Sequence, residues 1–123
     1  MHEGAIAQAL VNAAHNVAVE NGSKPVEKVL IVVGKMHQIV PSVLETYFDM
    51  MKEDFHLLSN AKLVYTEQEL LIFCKDCNTE SILETYPIFM CPKCESFSTE
   101  VVQGEELYIE SLIFYKEEPD GKE

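Results

Sequence analysis

Two pairs of cysteines carry the strongest chemical signal in this chain, and thirteen residues separate the pairs. The first pair is Cys74 and Cys77, the second is Cys91 and Cys94, and the chain has no other cysteine. Four thiolates satisfy the tetrahedral preference of zinc, and a two-residue gap lets a tight turn aim both sulfurs of a pair at one ion. The spacing therefore predicts a closed site. Because the protein would fill all four positions, the predicted zinc is structural and not catalytic.

Other uses of the cysteines make different demands on the sequence. Iron is the main alternative, because Cys-Pro-Lys-Cys after an earlier Cys-x-x-Cys is also typical of a rubredoxin knuckle, and tetrahedral thiolate sites accept either ion. Rubredoxins usually have glycine after each pair, whereas this chain has Asn78 and Glu95 there, which favours zinc. Disulfides would need an oxidising compartment, and the amino end does not resemble a signal peptide. A thioredoxin-like dithiol is also disfavoured, since neither pair stands at a predicted strand-to-helix junction.

Composition limits the classes of function. The chain has 123 residues, of which 47% are hydrophobic, enough for one modest core and a metal-bound module. No apolar run approaches the roughly twenty residues of a membrane span, so we expect a cytoplasmic protein that does not enter membranes. The formal charge is −12, with nine lysines and no arginine, which disfavours nucleic acid as a partner. Without a phosphate-binding glycine loop, a nucleophile motif or an open zinc position, the sequence predicts no enzymatic activity.

Hydrophobic periodicity predicts the elements that must position the cysteines. Apolar residues at three- and four-residue steps predict a helix over 4–20 and a second helix from Pro41 to near Phe55. A run of β-branched residues over 29–33 predicts a central strand covered on both faces. Further strands are predicted over 61–66, 69–73 and 107–115. The segment 69–73 leads straight into the first cysteine, Cys74.

These elements predict an α+β fold. We expect a small mixed sheet of about three strands with two helices, interrupted by a zinc-ribbon-like domain that carries the two Cys-x-x-Cys knuckles. The predicted domains are a discontinuous α/β domain of residues 1–72 plus 105–115, a zinc-binding domain of residues 73–104, and a disordered tail of residues 116–123.

A quieter metal-binding pattern stands at the amino terminus. In Met1-His2-Glu3, the terminal amine, the His2 amide nitrogen and the His2 ring can close adjacent chelate rings on one metal, and Glu3 adds a carboxylate. Nitrogen-rich planar sets of this kind suit Ni(II) and Cu(II). Taken alone, a histidine at position two does not distinguish a metal site from chance.

The combination of motifs resembles the HypA/HybF family of nickel metallochaperones, which serve [NiFe]-hydrogenase maturation. The resemblance rests on the starting Met-His-Glu, a Val-Val-Gly strand end, a Pro-x-x-Leu helix containing Phe48, the two cysteine pairs, and the closing Gly-Glu-Glu-Leu-Tyr-Ile-Glu-Ser-Leu segment. It covers nearly all of residues 1–115. The resemblance implies a nickel domain whose α/β fold binds Ni(II) as transient cargo at the amino terminus, and a separate zinc domain.

Residue by residue, the resemblance implies His2 as the main nickel ligand, Glu3 as a supporting residue, and Cys74, Cys77, Cys91 and Cys94 as the zinc ligands. It also implies two partners, a HypB-type GTPase and the large subunit of a [NiFe]-hydrogenase. The sequence leaves the oligomeric state open between a monomer and a homodimer. Service to urease, and a contribution of the Met1 amine to nickel binding, stay open.

One departure from the family concerns the loop before the second helix. Some relatives have an acidic residue there that could reach nickel, whereas this chain has Val40, and His37 is a candidate substitute. We predict structural or exposed roles for His15 and His56. The competing functions that the cysteines allow are a zinc-ribbon adaptor, which would bind protein or nucleic acid, and a rubredoxin-like electron carrier.

Overall fold

The computed structural model describes residues 2–84 and 88–116. The predicted tail over 116–123 lies outside these residues apart from its first position, and the Met1 amine lies outside them too. In chain order, the elements are α1 (Glu3–Glu20), β1 (Val26–Gly34), α2 (Pro41–Met51), β2 (Lys62–Gln68), β3 (Leu71–Cys74), β4 (Thr79–Ile82), β5 (Thr99–Gln103) and β6 (Leu107–Phe114).

The described strands form two sheets of three strands each. One sheet has the order β2-β1-β6, and the other, which carries the first cysteine, has the order β4-β3-β5. The predicted α+β class, with two helices, a three-stranded sheet and a separate cysteine-bearing module, is therefore confirmed. No helix in residues 2–84 or 88–116 is long and apolar enough to cross a membrane.

Helix α1 follows the predicted apolar spacing and starts one residue earlier than predicted. Its buried face consists mainly of small residues, which let α2 pack closely against it: Ala7, Leu10, Val11, Ala14 and Ala18. The helix ends in a Schellman motif, in which Gly22 adopts a φ of +95° and the Ser23 N–H donates to the Ala18 carbonyl at 2.9 Å. Glycine suits this position because it has no Cβ to clash in the left-handed conformation.

Helix α2 begins as predicted at Pro41, whose fixed φ suits the first helical position. It ends at Met51, however, and two 3-10 turns follow, Lys52–Asp54 and His56–Leu58. The prediction of a helix to near Phe55 was too long. Glu53 and Asp54 place negative charge where the helix dipole is already negative, which disfavours another turn of α-helix there.

Strand β1 is central in its sheet, as its β-branched sequence predicts. Three consecutive residues, Ile31, Val32 and Val33, are buried, so both faces of the strand are covered here. The strand also begins three residues before the predicted segment, at Val26.

The segment predicted as a strand over 69–73 belongs to the cysteine-bearing sheet. Strand β3 pairs antiparallel with β4 and β5, and Cys74 lies opposite Thr79 on one side and Thr99 on the other. A small separate core supports this sheet, formed by Leu70, Ile72 and Leu83 with Met36, Phe89 and Val101 packed against it. The first cysteine is therefore fixed by two strand pairings.

Two compact units are present. One contains Val32–Gln38 and Thr66–Tyr108, and the other contains His2–Ile31, Ile39–Tyr65 and the chain from Ile109 onward. The predicted domain boundaries at residues 72, 73, 104 and 105 stay a prediction, because compactness does not test which segment folds or binds metal by itself.

Within the first unit, two stretches of main chain approach very closely. A Cβ atom on Gly34 would lie 1.9 Å from the Gly104 carbonyl oxygen, and the Met36 N–H donates to that same oxygen at 2.9 Å. Gly34 has an ordinary extended backbone, with a φ of −77°. Glycine is therefore required here by space and not by conformation.

Candidate metal centres

The four cysteines meet at one point. Their sulfur atoms all lie within 4.8 Å of one another, with 3.5 Å between the Cys74 and Cys94 sulfurs and 3.7 Å between those of Cys77 and Cys91. A zinc–sulfur bond of about 2.3 Å in a tetrahedron separates the sulfurs by about 3.8 Å. The cluster therefore fits a tetrathiolate metal site. It is the sole group of three or more potential ligands in the part of the chain that the structure describes.

Both cysteine pairs have the same local geometry. The Asn78 N–H donates to the Cys74 carbonyl and the Glu95 N–H donates to the Cys91 carbonyl, each at 2.8 Å. Asn78 and Glu95 are left-handed, with φ values of 58° and 65°. These are the positions that glycine usually occupies in rubredoxin knuckles. The turn is thus formed without glycine, and the residue after each pair does not discriminate between iron and zinc.

Hydrogen bonds tie the two knuckles to each other and to the sheet. The Ser96 hydroxyl donates to an Asp76 carboxylate oxygen, which joins the first knuckle to the second. The Lys75 N–H donates to the Ser98 carbonyl at 2.9 Å, and the Cys91 N–H donates to the Ser96 carbonyl at 2.8 Å. The two turns are therefore held in register by their own backbone as well as by any metal.

The electrostatics of the cluster favour a cation. Backbone N–H groups of Cys94 and Lys93 lower the pKa of Cys91 to about 6, which stabilises a thiolate. The pKa of Cys94 is raised to about 12: the Ser96 N–H lowers it, but the neighbouring thiol of Cys74, desolvation and the other two thiols outweigh that bond. Four sulfurs this close cannot all ionise without a positive charge between them. A bound dication supplies that charge.

Exposure differs across the cluster. Cys74 and Cys91 are buried, Cys77 is half-buried, and Cys94 is exposed. All four sulfurs point at one another, so a bound ion has no free position for water or substrate. This donor set suits a structural metal.

The amino-terminal residues form a different arrangement. His2 is the residue before the first turn of α1, it is exposed, and its side chain makes no capping hydrogen bond. Its carbonyl accepts from the Ile6 N–H at 3.0 Å, so the backbone of His2 is fixed to the helix. The His2 ring therefore lies exposed at the amino-terminal end of α1.

The neighbouring carboxylate is anchored to the start of α2. Glu3 Oε2 accepts from the Val40 N–H at 3.0 Å. The terminal amino group, followed by this N–H, lowers the pKa of Glu3 to about 2, so the side chain is ionised at neutral and mildly acidic pH. Gly4 next to it leaves room for the Tyr47 ring, which a Cβ at position 4 would contact at 3.6 Å.

Comparison with known proteins identifies the family. The family model described as "Hydrogenase/urease nickel incorporation, metallochaperone, hypA" matches residues 1–114. The chain belongs to the HypA family. HypA proteins are metallochaperones, so this chain is not an enzyme, and the predicted resemblance is confirmed.

Relatives and solved structures agree with this assignment. A HypA hydrogenase maturation factor of Shewanella baltica is 36% identical over 96% of this chain and 99% of its own length, and one of Campylobacter jejuni is 32% identical over 92% and 98%. The solution structure of the Ni metallochaperone HypA from Helicobacter pylori is similar with a TM-score of 0.66. It shares 24% sequence identity over 95% of this chain and all of that chain. At this identity the similarity supports the fold alone.

Among the sequence-predicted residues of this HypA chain, the four cysteines are brought together, whereas His37 forms a hydrogen bond with the main chain of Glu105. His37 Nε2 lies 2.9 Å from the Glu105 carbonyl oxygen, which can only accept. That nitrogen therefore carries a proton, and the lone pair of the neutral ring is on Nδ1. His15 packs on the Phe55 ring and His56 is exposed, as structural or surface histidines would.

Sequence reasoning missed the main-chain contacts that shape both centres. The predicted departure at Val40 concerned its side chain, yet the contact to Glu3 is made by its backbone amide. Every residue except proline has that amide, so no residue type marks it. The Asp76–Ser96 link was also missed: Asp76 lies inside the first pair and Ser96 lies two residues after the second, so the spacing does not mark them as partners.

Proposed function

We propose that this chain is a nickel metallochaperone that binds Ni(II) at its amino terminus and delivers it for maturation of [NiFe]-hydrogenase. In this proposal His2 is the principal ligand and Glu3 the supporting carboxylate, and the terminal amine and adjacent backbone nitrogens complete the set. The family description, which names nickel incorporation, is the general support for this activity.

The observation that carries the location is the arrangement at the start of α1. His2 is exposed with its ring unengaged by a capping bond, and the ionised Glu3 beside it is held by the Val40 amide. An imidazole, amide nitrogens and a fixed carboxylate at one chain end form a nitrogen-rich set, and such sets suit Ni(II).

Openness at this site agrees with a transport function. A chaperone has to give up its metal to the next protein, and an exposed ligand at a helix end can be reached by an incoming ligand without unfolding. A closed cage would hold the metal too long. We therefore propose that Ni(II) is cargo here and exchanges by stepwise ligand replacement.

For the cysteine cluster we propose a structural zinc held by Cys74, Cys77, Cys91 and Cys94. Sulfur separations of 3.5 and 3.7 Å support a tetrahedral ion. The partners we propose are a HypB-type GTPase and the large subunit of a [NiFe]-hydrogenase, met in the cytoplasm, where thiols stay reduced.

A nickel titration of zinc-loaded protein tests the proposal. We expect His2→Ala, and separately a single residue added before Met1, to weaken nickel binding at least tenfold while zinc content stays at one ion per chain. Isothermal calorimetry gives the affinity, and elemental analysis gives the zinc. Since zinc tetrathiolate is colourless and ferric tetrathiolate is red, a visible spectrum of the same samples tests the metal identity.

Two histidines provide matched controls. His56→Ala removes an exposed imidazole away from the chain end, and His37→Ala removes the other histidine of the candidate set. Both variants should bind nickel as the parent does. A parent-like affinity in His2→Ala would contradict the amino-terminal site, and a loss in His37→Ala would move the site to the loop before α2.

A further inference from the structure

Strand β6 forms an edge of its sheet that no described strand covers. Within residues 2–84 and 88–116, its one hydrogen-bonded neighbour is β1. Its other side presents a row of backbone N–H and C=O groups along Leu107–Phe114, a strand of eight residues. Such a row pairs with another extended strand, so the edge itself specifies a strand as its occupant.

The two edges of this sheet differ in the residues that limit strand pairing. Strand β2, at the opposite edge, has Lys62 at its start and Glu67 near its end, and both are exposed. The Lys52 Nζ also occupies the carbonyl of Ala61, just before β2, at 2.7 Å. Lysine, other charged residues and proline are the usual means by which proteins prevent edge pairing. Strand β6 has no lysine or proline, and Glu110 is its one charged residue.

Apolar side chains are exposed along β6. Tyr108 is 48% exposed and Ile113 is 40% exposed. Apart from Glu110 and Ser111, every residue of the strand is aliphatic or aromatic. A second strand beside β6 would bury part of this apolar surface, which favours pairing in addition to the backbone hydrogen bonds.

Two-fold symmetry limits how β6 can pair with a second copy of itself. Directly opposite residues of an antiparallel pair lie on the same face, so a two-fold axis must pass beside one residue that meets its own copy. An axis at Glu110 would place two carboxylates opposite each other, which is destabilising. An axis at Leu112 would place Glu110 opposite the aromatic ring of Phe114. An axis at Ser111 avoids both, because two hydroxyl groups then meet at the centre.

The register centred on Ser111 also matches similar residues along the strand. It places Ile109 of each copy opposite Ile113 of the other, and Tyr108 opposite Phe114. Pairs of β-branched residues and pairs of aromatic residues are among the favourable cross-strand combinations. The sequence of β6 is therefore complementary to itself in one register.

Charges of opposite sign stand at the two ends of β6. Glu106 directly precedes the strand, and Lys116 lies two residues after it. In the register centred on Ser111, residue 106 of one copy is opposite residue 116 of the other. Each end of the pair would therefore have one carboxylate facing one ammonium group, which favours a second copy over an unrelated strand.

We propose that the free edge of β6 is a homodimer interface, at which two copies of the chain pair antiparallel about a two-fold axis at Ser111 and join their sheets into one of six strands. This dimer depends on neither nickel nor the proposed function.

Sedimentation of the full zinc-loaded chain over a range of concentrations tests the proposal. We expect the parent to dimerise and Ile113→Lys to raise the dimer dissociation constant at least tenfold, because the lysine would lie opposite Ile109 of the other copy. Val19→Lys is the matched control, since it adds the same charge at a valine of α1 that is 47% exposed, and it should dimerise as the parent does. A parent that stays monomeric, or an Ile113→Lys dimer as tight as the parent's, would overturn the proposal.

Cross-linking tests the register. Directly opposite Cα atoms of an antiparallel pair are about 4.5–5.5 Å apart, which a disulfide can span. Under mild oxidation, we expect zinc-loaded Ser111→Cys to form covalent dimers at least tenfold faster than Glu110→Cys, whose two copies would be diagonal to each other. Thr66→Cys places a thiol on the opposite edge strand and should link no faster than the parent, which gives the baseline. Faster linking through position 110 or 66 than through position 111 would overturn the proposed interface.

Nickel titrations of the same samples separate this proposal from the previous one. Ile113→Lys should keep parent-like nickel affinity, and His2→Ala should dimerise as the parent does. If His2→Ala keeps its nickel, the proposed function fails while the dimer interface stands. If Ile113→Lys keeps its dimer, the interface fails while the nickel site stands.

Discussion

The cysteine cluster and the amino terminus are the two candidate metal-binding arrangements in the described residues, and they are built in opposite ways. The cluster takes its ligands from two turns separated by thirteen residues, and two of its four sulfurs are buried. The amino terminus takes its candidate ligands from consecutive residues, with His2 exposed at the end of a helix. One centre is shaped by tertiary structure, whereas the other is shaped almost entirely by the order of the chain.

This difference in construction predicts how readily each centre exchanges its ion. A closed set of four thiolates gains folding free energy from its ion and gives it up only when the turns open. An open set at a chain end has little structure to lose, so ion exchange costs little. We therefore expect the cysteine cluster to retain its ion and the amino terminus to exchange its ion.

The largest effect should follow from removing a buried thiolate. We expect Cys74→Ser to lose the metal and to lower the free energy of unfolding by several kcal/mol, because structural zinc contributes on the order of 10 kcal/mol to folding in small sites. Elemental analysis and thermal unfolding measure the two effects. Ser81→Ala is the control, since the Ser81 hydroxyl is buried in the same sheet with no hydrogen-bond partner in the described residues. Unchanged zinc and stability in Cys74→Ser would contradict the structural role.

Chelators should separate the two centres next. With both metals loaded, we expect a moderate excess of EDTA to remove nickel within minutes and zinc at least tenfold more slowly, because the cysteine turns must open first. Nickel and zinc release can be followed with a colorimetric indicator. Equal release rates would mean that the cluster is as open as the terminus.

Glu3 tests how the open site is ordered. Glu3→Ala removes both the charge and the bond to the Val40 amide, and we expect nickel affinity to fall about tenfold, or about 1.4 kcal/mol. Glu3→Gln keeps an oxygen that can accept from the amide, so the loss should be smaller if the residue acts mainly by positioning. A Gln variant as weak as the Ala variant would show instead that the negative charge of the carboxylate is needed.

The smallest effect should come from the left-handed residues that follow each cysteine pair. Glu95→Gly should stabilise the cysteine-bearing unit by about 1 kcal/mol, because a non-glycine residue in this conformation is strained by about that amount or more. Asn78→Gly should gain less, since asparagine tolerates positive φ well. Thermal unfolding of the zinc-loaded variants measures both. A destabilised Glu95→Gly would mean that its side chain makes a contact worth more than the strain.

The sequence contained enough local information for most of the elements. Helix α1 was predicted to within one residue, because its apolar residues recur regularly at three- and four-residue steps. The cysteine cluster was predicted as a group, since two-residue gaps and a long separation leave few alternatives to a metal. Helix α2 was predicted too long: Phe55 continues the apolar spacing, and periodicity does not register the acidic residues that oppose the helix end.

Long-range partners could not be predicted from spacing. Periodicity identified a strand before Cys74 but not the sheet to which it belongs, because pairing depends on segments far along the chain. The bond between Glu3 and the Val40 amide involves a main-chain donor, and the strain at Glu95 opposes the residue preference for that turn. Each of these features depends on the folded backbone, so the types of the residues involved do not predict it.

The close approach at Gly34 has a consequence for genetics. The atoms that a side chain at position 34 would strike belong to the main chain of Gly104 and Glu105, at 1.9 to 2.6 Å. No smaller residue at those positions can make room, because the carbonyl oxygen is present whatever the side chain. A screen for second-site suppressors of Gly34→Ala should therefore find none at position 104 or 105, and any revertants should restore glycine itself.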